Sequence, residues 1–339
     1  MSALGPLIVG IEGQQLDEAT RQRLLNPNVG GVILFARNHA STDQLKALCA
    51  EIKALRDPPL LISVDQEGGR VQRFQTDFTR LPPLALLGRW YTRYPDRAVD
   101  LAYRHGRVMA AEVLACGVDF SWAPVLDVDG ASEVIGDRAM SSQADAVIAL
   151  AKHYLAGMAD AGMAACGKHY PGHGSVQADT HTHPAVDDRP AAALWADEAP
   201  FRALADSLAM MMMSHVVYPA VAPEPAGFSR AWIQSRLRDT LGFRGLVVSD
   251  DLDMVGAHVA GDLPGRLQAA FVAGCDLALV CHPQSVEAVL TQGLSWPVPE
   301  PEAMARLRGR AMLSWDEQMQ VSEFRFWRQS LAQLAEESR

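Results

Sequence analysis

The densest group of chemically active side chains lies in the segment KHYPGHGSVQADTHTHP, from Lys168 to Pro184. It holds four of the ten histidines, together with Lys168 and Asp179, and two glycines that permit tight turns. Imidazole titrates near neutral pH, so this composition suits general acid–base catalysis or metal binding. A polar surface loop would explain the glycines but not the density of histidines, which favours a functional segment.

Two adjacent carboxylates, Asp250 and Asp251, follow the apolar run LVV. Burying charged carboxylates is costly unless they are paired or used, so this strand end is a candidate site. An ordinary strand end with an aspartate that caps the next helix is the alternative. Because successive strand residues point to opposite faces, we expect only one of the two to face the site.

A third group of charged side chains lies in VDQEGGR, which begins at Val64 and contains Asp65, and Arg73 follows closely. Carboxylates accept hydrogen bonds from sugar hydroxyls, and a guanidinium donates them in a fixed fork. An acid–base pair that braces the turn would explain the motif nearly as well. Arg138 in VIGDRAM and His215 in MSHVVYP are single residues, and by themselves they favour structural roles.

Eight short apolar runs alternate with amphipathic helical patterns, and several are apolar almost throughout, as expected of parallel strands buried on both faces. The predicted strands are Leu7–Ile11, Gly31–Phe35, Leu60–Val64, Asp119–Val125, Ala164–His169, Met210–Val217, Gly245–Ser249 and Leu277–Cys281. This alternation predicts an α/β fold, a single (β/α)8 TIM-type barrel over residues 1–339, with helices from about residue 301 packed on its outside. A doubly wound open sheet is the alternative, but no GxGxxG follows the first strand. In such a barrel the strand ends would bring the three groups together.

Composition restricts the partners of the protein. A formal net charge of -10 argues against binding to nucleic acid or an anionic membrane surface. The five cysteines are widely spaced and form no CxxC pair, which indicates thiols in a reducing compartment. The N-terminal residues lack a basic region, and no apolar stretch approaches the roughly 20 residues of a membrane span. We therefore expect a cytoplasmic protein, and we also expect a monomer.

Six motifs occur in a fixed order: VDQEGGRVQRF, VIGDRAM, KHYPGHG followed by ADTH, MSHVVYP, GFSR and VVSDD. Together they resemble the β-N-acetylglucosaminidases of glycoside hydrolase family 3, in particular the cytoplasmic bacterial members of cell-wall recycling. The resemblance extends from about Gly5 to His282. It implies a retaining exo-enzyme that removes terminal N-acetylglucosamine from peptidoglycan fragments (muropeptides) and requires no cofactor or metal.

Matching positions in the motifs assign roles to individual residues. The resemblance implies that Asp250 is the nucleophile, and that His181, oriented by Asp179, donates and accepts the proton. The residues that would hold the sugar are Asp65, Arg73, Arg138, Lys168, His169 and His215. Because His181 lies on a glycine-bearing loop, we expect the loop to close over the substrate.

Other functions remain open at this point. A histidine base does not repel anions as a glutamate would, so phosphate could replace water and make the enzyme a phosphorylase. A metal-dependent hydrolase would use the histidines of the dense segment as ligands, namely His169, His173, His181 and His183. A non-catalytic sugar-binding barrel would lack an intact nucleophile or proton donor. β-Glucosidases and β-xylosidases of the same broad family generally bring a second domain, for which this chain lacks the length and the linker.

Overall fold

A computed structural model describes residues 3–176 and 185–338. All eight predicted strands are present and form one parallel sheet in the order β4-β3-β2-β1-β8-β7-β6-β5. Their bounds are β1 Leu7–Gly10, β2 Val29–Leu34, β3 Leu61–Val64, β4 Phe120–Ser121, β5 Cys166–Tyr170, β6 Met210–Met213, β7 Leu246–Asp251 and β8 Leu277–Val280. The predicted barrel is confirmed, with a nearly complete ring.

The ring closes between β4 and β5 through a few contacts rather than a full ladder. The amide of Cys166 donates to the Ala123 carbonyl at 2.8 Å, and the amide of Leu126 donates to the Lys168 carbonyl at 2.7 Å. We predicted a strand over Asp119–Val125, but only two of its residues pair regularly. The reason is local, because Pro124 has no amide hydrogen to donate to a ladder.

Helices surround the barrel, as the alternating pattern predicts. The α-helices are α1 Glu18–Leu24, α2 Thr42–Ala54, α3 Ala85–Arg93, α4 Pro95–Ala115, α5 Ala144–Ala161, α6 Ala191–Asp197, α7 Ala199–Leu204, α8 Leu263–Ala273, α9 Pro283–Leu290, α10 Pro301–Arg306, α11 Trp315–Gln320 and α12 Ser322–Glu337. A π-helical segment, Ala231–Thr240, precedes β7. No helix among the described residues is long and apolar enough to cross a membrane.

The two longest helices that precede β5, α4 and α5, touch backbone to backbone. A Cβ added at Gly106 would lie 2.3 Å from the Tyr154 carbonyl oxygen, and one added at Gly157 would lie 2.2 Å from the Tyr103 carbonyl oxygen. Such close approach requires glycine on both sides. The contact presses α4 and α5 together where they cover β4 and the start of β5.

Two of the C-terminal helices, α11 and α12, contact α4. The Gln318 side chain donates to the Ala111 carbonyl at 3.0 Å. The Arg328 guanidinium lies 2.6 Å from the buried Glu112 carboxylate, which also accepts from the Thr79 hydroxyl. These contacts fasten the end of the chain to a barrel helix.

Smaller strands flank the site. Gln66–Gly68 and Val71–Gln72 form an antiparallel hairpin directly after β3. The predicted run Met210–Val217 splits, because the chain leaves the barrel after Ser214. Val216–Tyr218 then pairs with Ala185–Val186 and Ala222–Pro225 in a separate small sheet. The chain after β6 therefore turns sharply at His215.

Candidate active site

A cavity of about 560 Å³ opens at the C-terminal ends of the barrel strands. Six of the residues predicted from the sequence line it: Asp65, Arg73, Arg138, Lys168, His169 and Asp250. Apolar side chains from four strands or strand ends form part of its wall: Ile33, Trp122, Met212 and Leu279. Asp179 and His181 lie outside the described residues, and so does the loop closure that we expected of their segment.

The ammonium of Lys168 in β5 lines the cavity and is buried. Its Nζ lies 2.8 Å from Asp65 Oδ1 and 2.6 Å from Glu67 Oε1. Burial by itself would raise the pKa of Asp65, but Lys168 and Arg73 outweigh it and the net pKa is lowered. One lysine thus keeps two carboxylates ionised and holds the end of β3 against β5.

Arg138, from the VIGDRAM loop, forms a fork with Glu67. Its Nε and Nη2 lie 2.8 and 2.9 Å from the two carboxylate oxygens. Burial opposes the charge of Glu67, yet Arg138 and Lys168 hold the pKa of this carboxyl far below its ordinary value. Glu67 therefore joins a cation from each of two other parts of the chain.

His169 is oriented from behind by Asp127. The His169 Nδ1 lies 2.7 Å from Asp127 Oδ2, and the amides of His169 and His173 donate to the same carboxylate. Burial opposes the charged form of Asp127, but His169 and these hydrogen bonds lower its pKa. The His169 Nδ1 therefore carries the proton, and its Nε2 faces Arg138 Nη2 at 3.4 Å as an acceptor.

Arg73 is the most loosely held cation of the site. Its Nη2 is 3.5 Å from Asp65 Oδ2, and the guanidinium lies over the Phe35 ring, 5.5 Å from its centroid. A third of the side chain is exposed. It can therefore donate to a ligand that enters the cavity without first breaking a tight ion pair.

The end of β7 carries a bulge that directs both carboxylates toward the cavity. Val248 pairs with Leu277 and Asp251 with Leu279, so three steps along β7 match two along β8. Both Asp250 and Asp251 line the cavity. Our expectation that only one would face the site is wrong, because the extra residue breaks the strict alternation of the strand.

Asp251 differs from the paired acids in its electrostatics. Its Oδ1 accepts from the amides of Asp253 and Cys281, at 3.1 and 3.2 Å. Burial first, and then the charge of Asp253, raise the pKa of Asp251 to about 7. Among the described residues, no lysine, arginine or histidine forms a salt bridge with this carboxylate.

His215 does not line the cavity. It is buried beside the end of β7, and its Nε2 lies 3.1 Å from the Asp251 carbonyl oxygen. Burial lowers the pKa of His215, although the nearby Asp250 charge opposes this effect. The structure therefore does not bring His215 to the cavity with the other residues that we expected to hold the sugar.

Metal-binding geometry was also predicted as an alternative, built on four histidines. Two of these, His181 and His183, lie outside the described residues, and the Nδ1 of His169 is engaged by Asp127. Within the described ranges, three side chains bring possible ligand atoms within 4.8 Å of one another: Asp251, Asp253 and His282. This group does not coincide with the predicted histidine set.

Two residues of the network, Glu67 and Asp127, were not predicted as site residues. Both carboxylates are almost fully buried. Asp127 follows the apolar run APVL, which was an available signal because a buried acid needs a partner, whereas Glu67 lies in the polar run DQEGGR and gave no such signal. Their partners are distant in sequence, 71 residues away for Glu67 with Arg138 and 42 for Asp127 with His169, so spacing could not identify them.

Comparisons with known proteins agree with this geometry. The model of the Glycosyl hydrolase family 3 N terminal domain matches residues 6–308. The β-hexosaminidase of Thiobacillus denitrificans is 53% identical over 311 residues, covering 90% of this chain and 87% of the relative. The β-hexosaminidase of Alkalilimnicola ehrlichii is 54% identical over 317 residues, covering 91% and 90%.

Solved structures give the same result. NagZ from Neisseria gonorrhoeae, in complex with N-trifluoroacetyl-D-glucosamine, has a TM-score of 0.91 and 41% identity and covers 98% of both chains. A family 3 β-N-acetylglucosaminidase from Paenibacillus has a TM-score of 0.82 and 29% identity, covering 97% of this chain and 67% of that one. The chain therefore belongs to glycosyl hydrolase family 3, and it is a glycoside hydrolase of the β-hexosaminidase type.

Proposed function

We propose that the protein is a retaining exo-β-N-acetylglucosaminidase that removes terminal N-acetylglucosamine from peptidoglycan fragments in the cytoplasm, with Asp250 as the nucleophile. The observation that carries the proposal is the position of Asp250, at the end of a bulged strand and facing a cradle of charged side chains. The relative from Neisseria gonorrhoeae, solved with an N-acylated glucosamine analogue, supports the class of sugar.

The charged network provides the contacts that a sugar needs. Asp65 accepts hydrogen bonds from hydroxyls, whereas Arg73, Arg138 and Lys168 donate them, and His169 offers its Nε2 edge. Because Lys168 and Arg138 are already fixed by Glu67, little side-chain entropy is lost when a sugar binds. In this proposal Glu67 positions the two cations rather than the substrate.

The proposed reaction has two displacements at the anomeric carbon. Asp250 attacks this carbon while the bond to the leaving oxygen breaks, and His181 gives its proton to that oxygen. Neutral His181 then takes a proton from water, whose oxygen attacks the same carbon and releases Asp250. Asp179 would hold the imidazole tautomer and stabilise its charged form. The roles of His181 and Asp179 rest on the sequence motif.

The experiment that tests this proposal uses a fluorinated N-acetylglucosamine mechanism probe with an activated leaving group. Mass spectrometry then identifies the labelled peptide. A label on Asp250 supports the retaining mechanism and the nucleophile together. A label on another residue, in protein that cleaves an aryl N-acetylglucosaminide, contradicts the assignment.

The acceptor needs a separate measurement, because phosphate could replace water. Products formed from the same aryl substrate, with and without phosphate, are separated by chromatography. Free N-acetylglucosamine in both samples supports hydrolysis. A sugar phosphate as the main product in phosphate buffer would identify a phosphorylase.

A further inference from the structure

His215 occupies the point where the chain leaves the barrel after β6. The Ser214 amide donates to the Tyr170 carbonyl at 2.9 Å. The His215 ring lies against Phe228, with centroids 5.4 Å apart and the ring planes tilted by 41°. The imidazole is 1% exposed. A ligand in the cavity therefore cannot touch it, and any effect of His215 on the reaction must pass through a neighbour.

That neighbour is the backbone of Asp251, the residue that follows Asp250. The Asp251 carbonyl accepts from the Met254 amide at 3.1 Å and from His215 Nε2 at 3.1 Å. A carbonyl can only accept, so Nε2 carries the hydrogen and Nδ1 does not. The Nδ1 is buried and has no hydrogen-bond partner in the described part of the chain, which leaves the Nε2 contact as the polar function of this ring.

The pairing of β6 with β7 ends where Met213 lies opposite Ser249. Beyond that pair, His215 supplies a side-chain link from the end of β6 to the bulge. On the other side, the Ser249 hydroxyl accepts from the Leu279 amide at 3.2 Å, and Asp251 Oδ1 accepts from the Cys281 amide. The residues on either side of Asp250 are thus tied to the neighbouring strand ends.

The carboxylate of Asp250 depends on the backbone of the same residue, Asp251. Its Oδ1 accepts from the Asp251 amide at 2.8 Å. A displacement of Asp251 that moved its carbonyl away from His215 would also move its amide and redirect the carboxylate of Asp250. An error of about 1 Å in the position of a reacting group can cost 10²-fold in rate.

We propose that His215 is a positioning residue for Asp250, acting through the Asp251 carbonyl to keep the bulged strand end in the orientation that faces the cavity. This inference rests on the proposed role of Asp250 as the nucleophile. In this proposal the histidine of the MSH motif orients the nucleophile and does not contact the sugar.

His105 provides a matched control for a buried histidine without this role. It is fully buried, its Nε2 lies 3.0 Å from the Pro82 carbonyl oxygen, and its Nδ1 likewise has no partner in the described part of the chain. Its hydrogen bond does not reach β7. Changing either histidine should cost stability, but only His215 should alter the rate of nucleophilic attack.

The first measurement compares His215→Phe, His215→Gln and His215→Asn on an aryl N-acetyl-β-glucosaminide. The phenylalanine variant should lower kcat about 10- to 100-fold and leave KM within about threefold, because the groups proposed to hold the sugar are unchanged. Gln can place an amide donor near the Nε2 position and should recover most of this loss, whereas the shorter Asn should not. His105→Gln should leave kcat within about threefold.

The second measurement separates positioning from general damage. In Asp250→Ala, azide can attack the anomeric carbon in place of the carboxylate and release the same aryl leaving group. Adding His215→Phe to this variant should change the azide-dependent rate by less than about threefold, because no carboxylate remains to be positioned. The Gln and Asn variants give the same comparison if the phenylalanine variant does not fold.

The outcomes distinguish the two proposals. Unchanged kcat in all His215 variants, or an azide-dependent rate that falls in parallel with them, would overturn the positioning role. If Asp250→Ala retains turnover and gains nothing from azide, the nucleophile assignment itself fails, whatever the His215 variants do. Rescue of Asp250→Ala by azide, together with a loss confined to enzymes that keep Asp250, supports both.

Discussion

The two walls of the cavity hold carboxylates by opposite means. On the β3 and β5 side, Asp65 and Glu67 share Lys168, and Glu67 also binds Arg138, so both acids stay ionised. On the β7 side, backbone amides hold Asp251, whose pKa is raised to about 7. Burial alone does not determine the charge of an acid. A cation within hydrogen-bond distance keeps the acid ionised, whereas neighbouring acids favour its protonation.

Removal of the proposed nucleophile tests the reactive side of this comparison and has the largest expected effect. Asp250→Ala should reduce kcat on an aryl N-acetyl-β-glucosaminide by about 10³- to 10⁵-fold, because the covalent step loses its attacking group. Turnover near that of the unmodified enzyme would contradict the proposal that Asp250, on the β7 side of the cavity, is the nucleophile.

Removal of the shared cation tests the opposite wall. Lys168→Met leaves Asp65 and Glu67 buried without their common partner, and breaking such a pair costs about 3–5 kcal/mol in the free energy of unfolding. Denaturant unfolding measures this cost. Lys152→Met, which removes an exposed lysine of α5, is the control and should change stability by less than about 0.5 kcal/mol. An equally small effect at Lys168 would show that the network does not stabilise the site.

A substitution of Asp127 tests the β5 side of the cavity at a single hydrogen bond, the one between His169 and Asp127. In Asp127→Asn, an amide NH2 replaces the oxygen that accepts from Nδ1, so the imidazole should move its proton to Nε2, toward Arg138. We expect KM to rise about tenfold, which corresponds to ~1.4 kcal/mol. Nitrogen NMR of the imidazole reports the tautomer. Asp129→Asn changes an exposed neighbour and is the control, which should alter neither KM nor the tautomer. An unaltered tautomer in Asp127→Asn would contradict the role of Asp127 in placing the His169 proton on Nδ1.

The last prediction concerns stability as a function of pH. The pKa of Asp251 in the folded protein, about 7, lies above its ordinary value of 3.8, so folding favours the protonated form. Its stabilising contribution is full below about pH 4 and is lost as pH rises toward and through 7. Asp251→Asn keeps an oxygen for the two amides but cannot ionise. Its free energy of unfolding relative to the unmodified protein should therefore increase by about 1–3 kcal/mol between pH 4 and 8.

Thermal unfolding of Asp251→Asn at several pH values measures this difference, with exposed Asp239→Asn as the control. The control should run parallel to the unmodified protein. If Asp251→Asn did so as well, Asp251 would be ionised at neutral pH, and the electrostatic contrast between the two walls would disappear.

The sequence predicts the framework of this molecule better than its contacts. Eight apolar runs locate all eight barrel strands, because strands buried on both faces need little else than continuous apolar residues. The exceptions have local causes, namely Pro124, which follows β4, and the departure of the chain from the barrel after Ser214. The family motifs identify most of the cavity residues.

What the sequence does not reveal is how these residues are held. The Lys168–Asp65 pair joins positions 103 residues apart, and only the closed barrel brings them within 2.8 Å. The bulge at the end of β7 leaves no compositional sign, which is why we expected Asp250 and Asp251 to face opposite ways. The contact of His215 is likewise not predicted by the sequence, because it is made with a backbone carbonyl, which no motif identifies.

The incomplete pairing between β4 and β5 has a consequence for the order in which the enzyme loses sugar binding and unfolds on heating. A barrel with a weak seam behaves there as a sheet with two edges, and edges open at lower free energy than interior strands. Lys168 and His169 are on one of these edges. Sugar binding should therefore be lost a few degrees before the barrel melts, with amide hydrogens at 126 and 168 exchanging before those of β1.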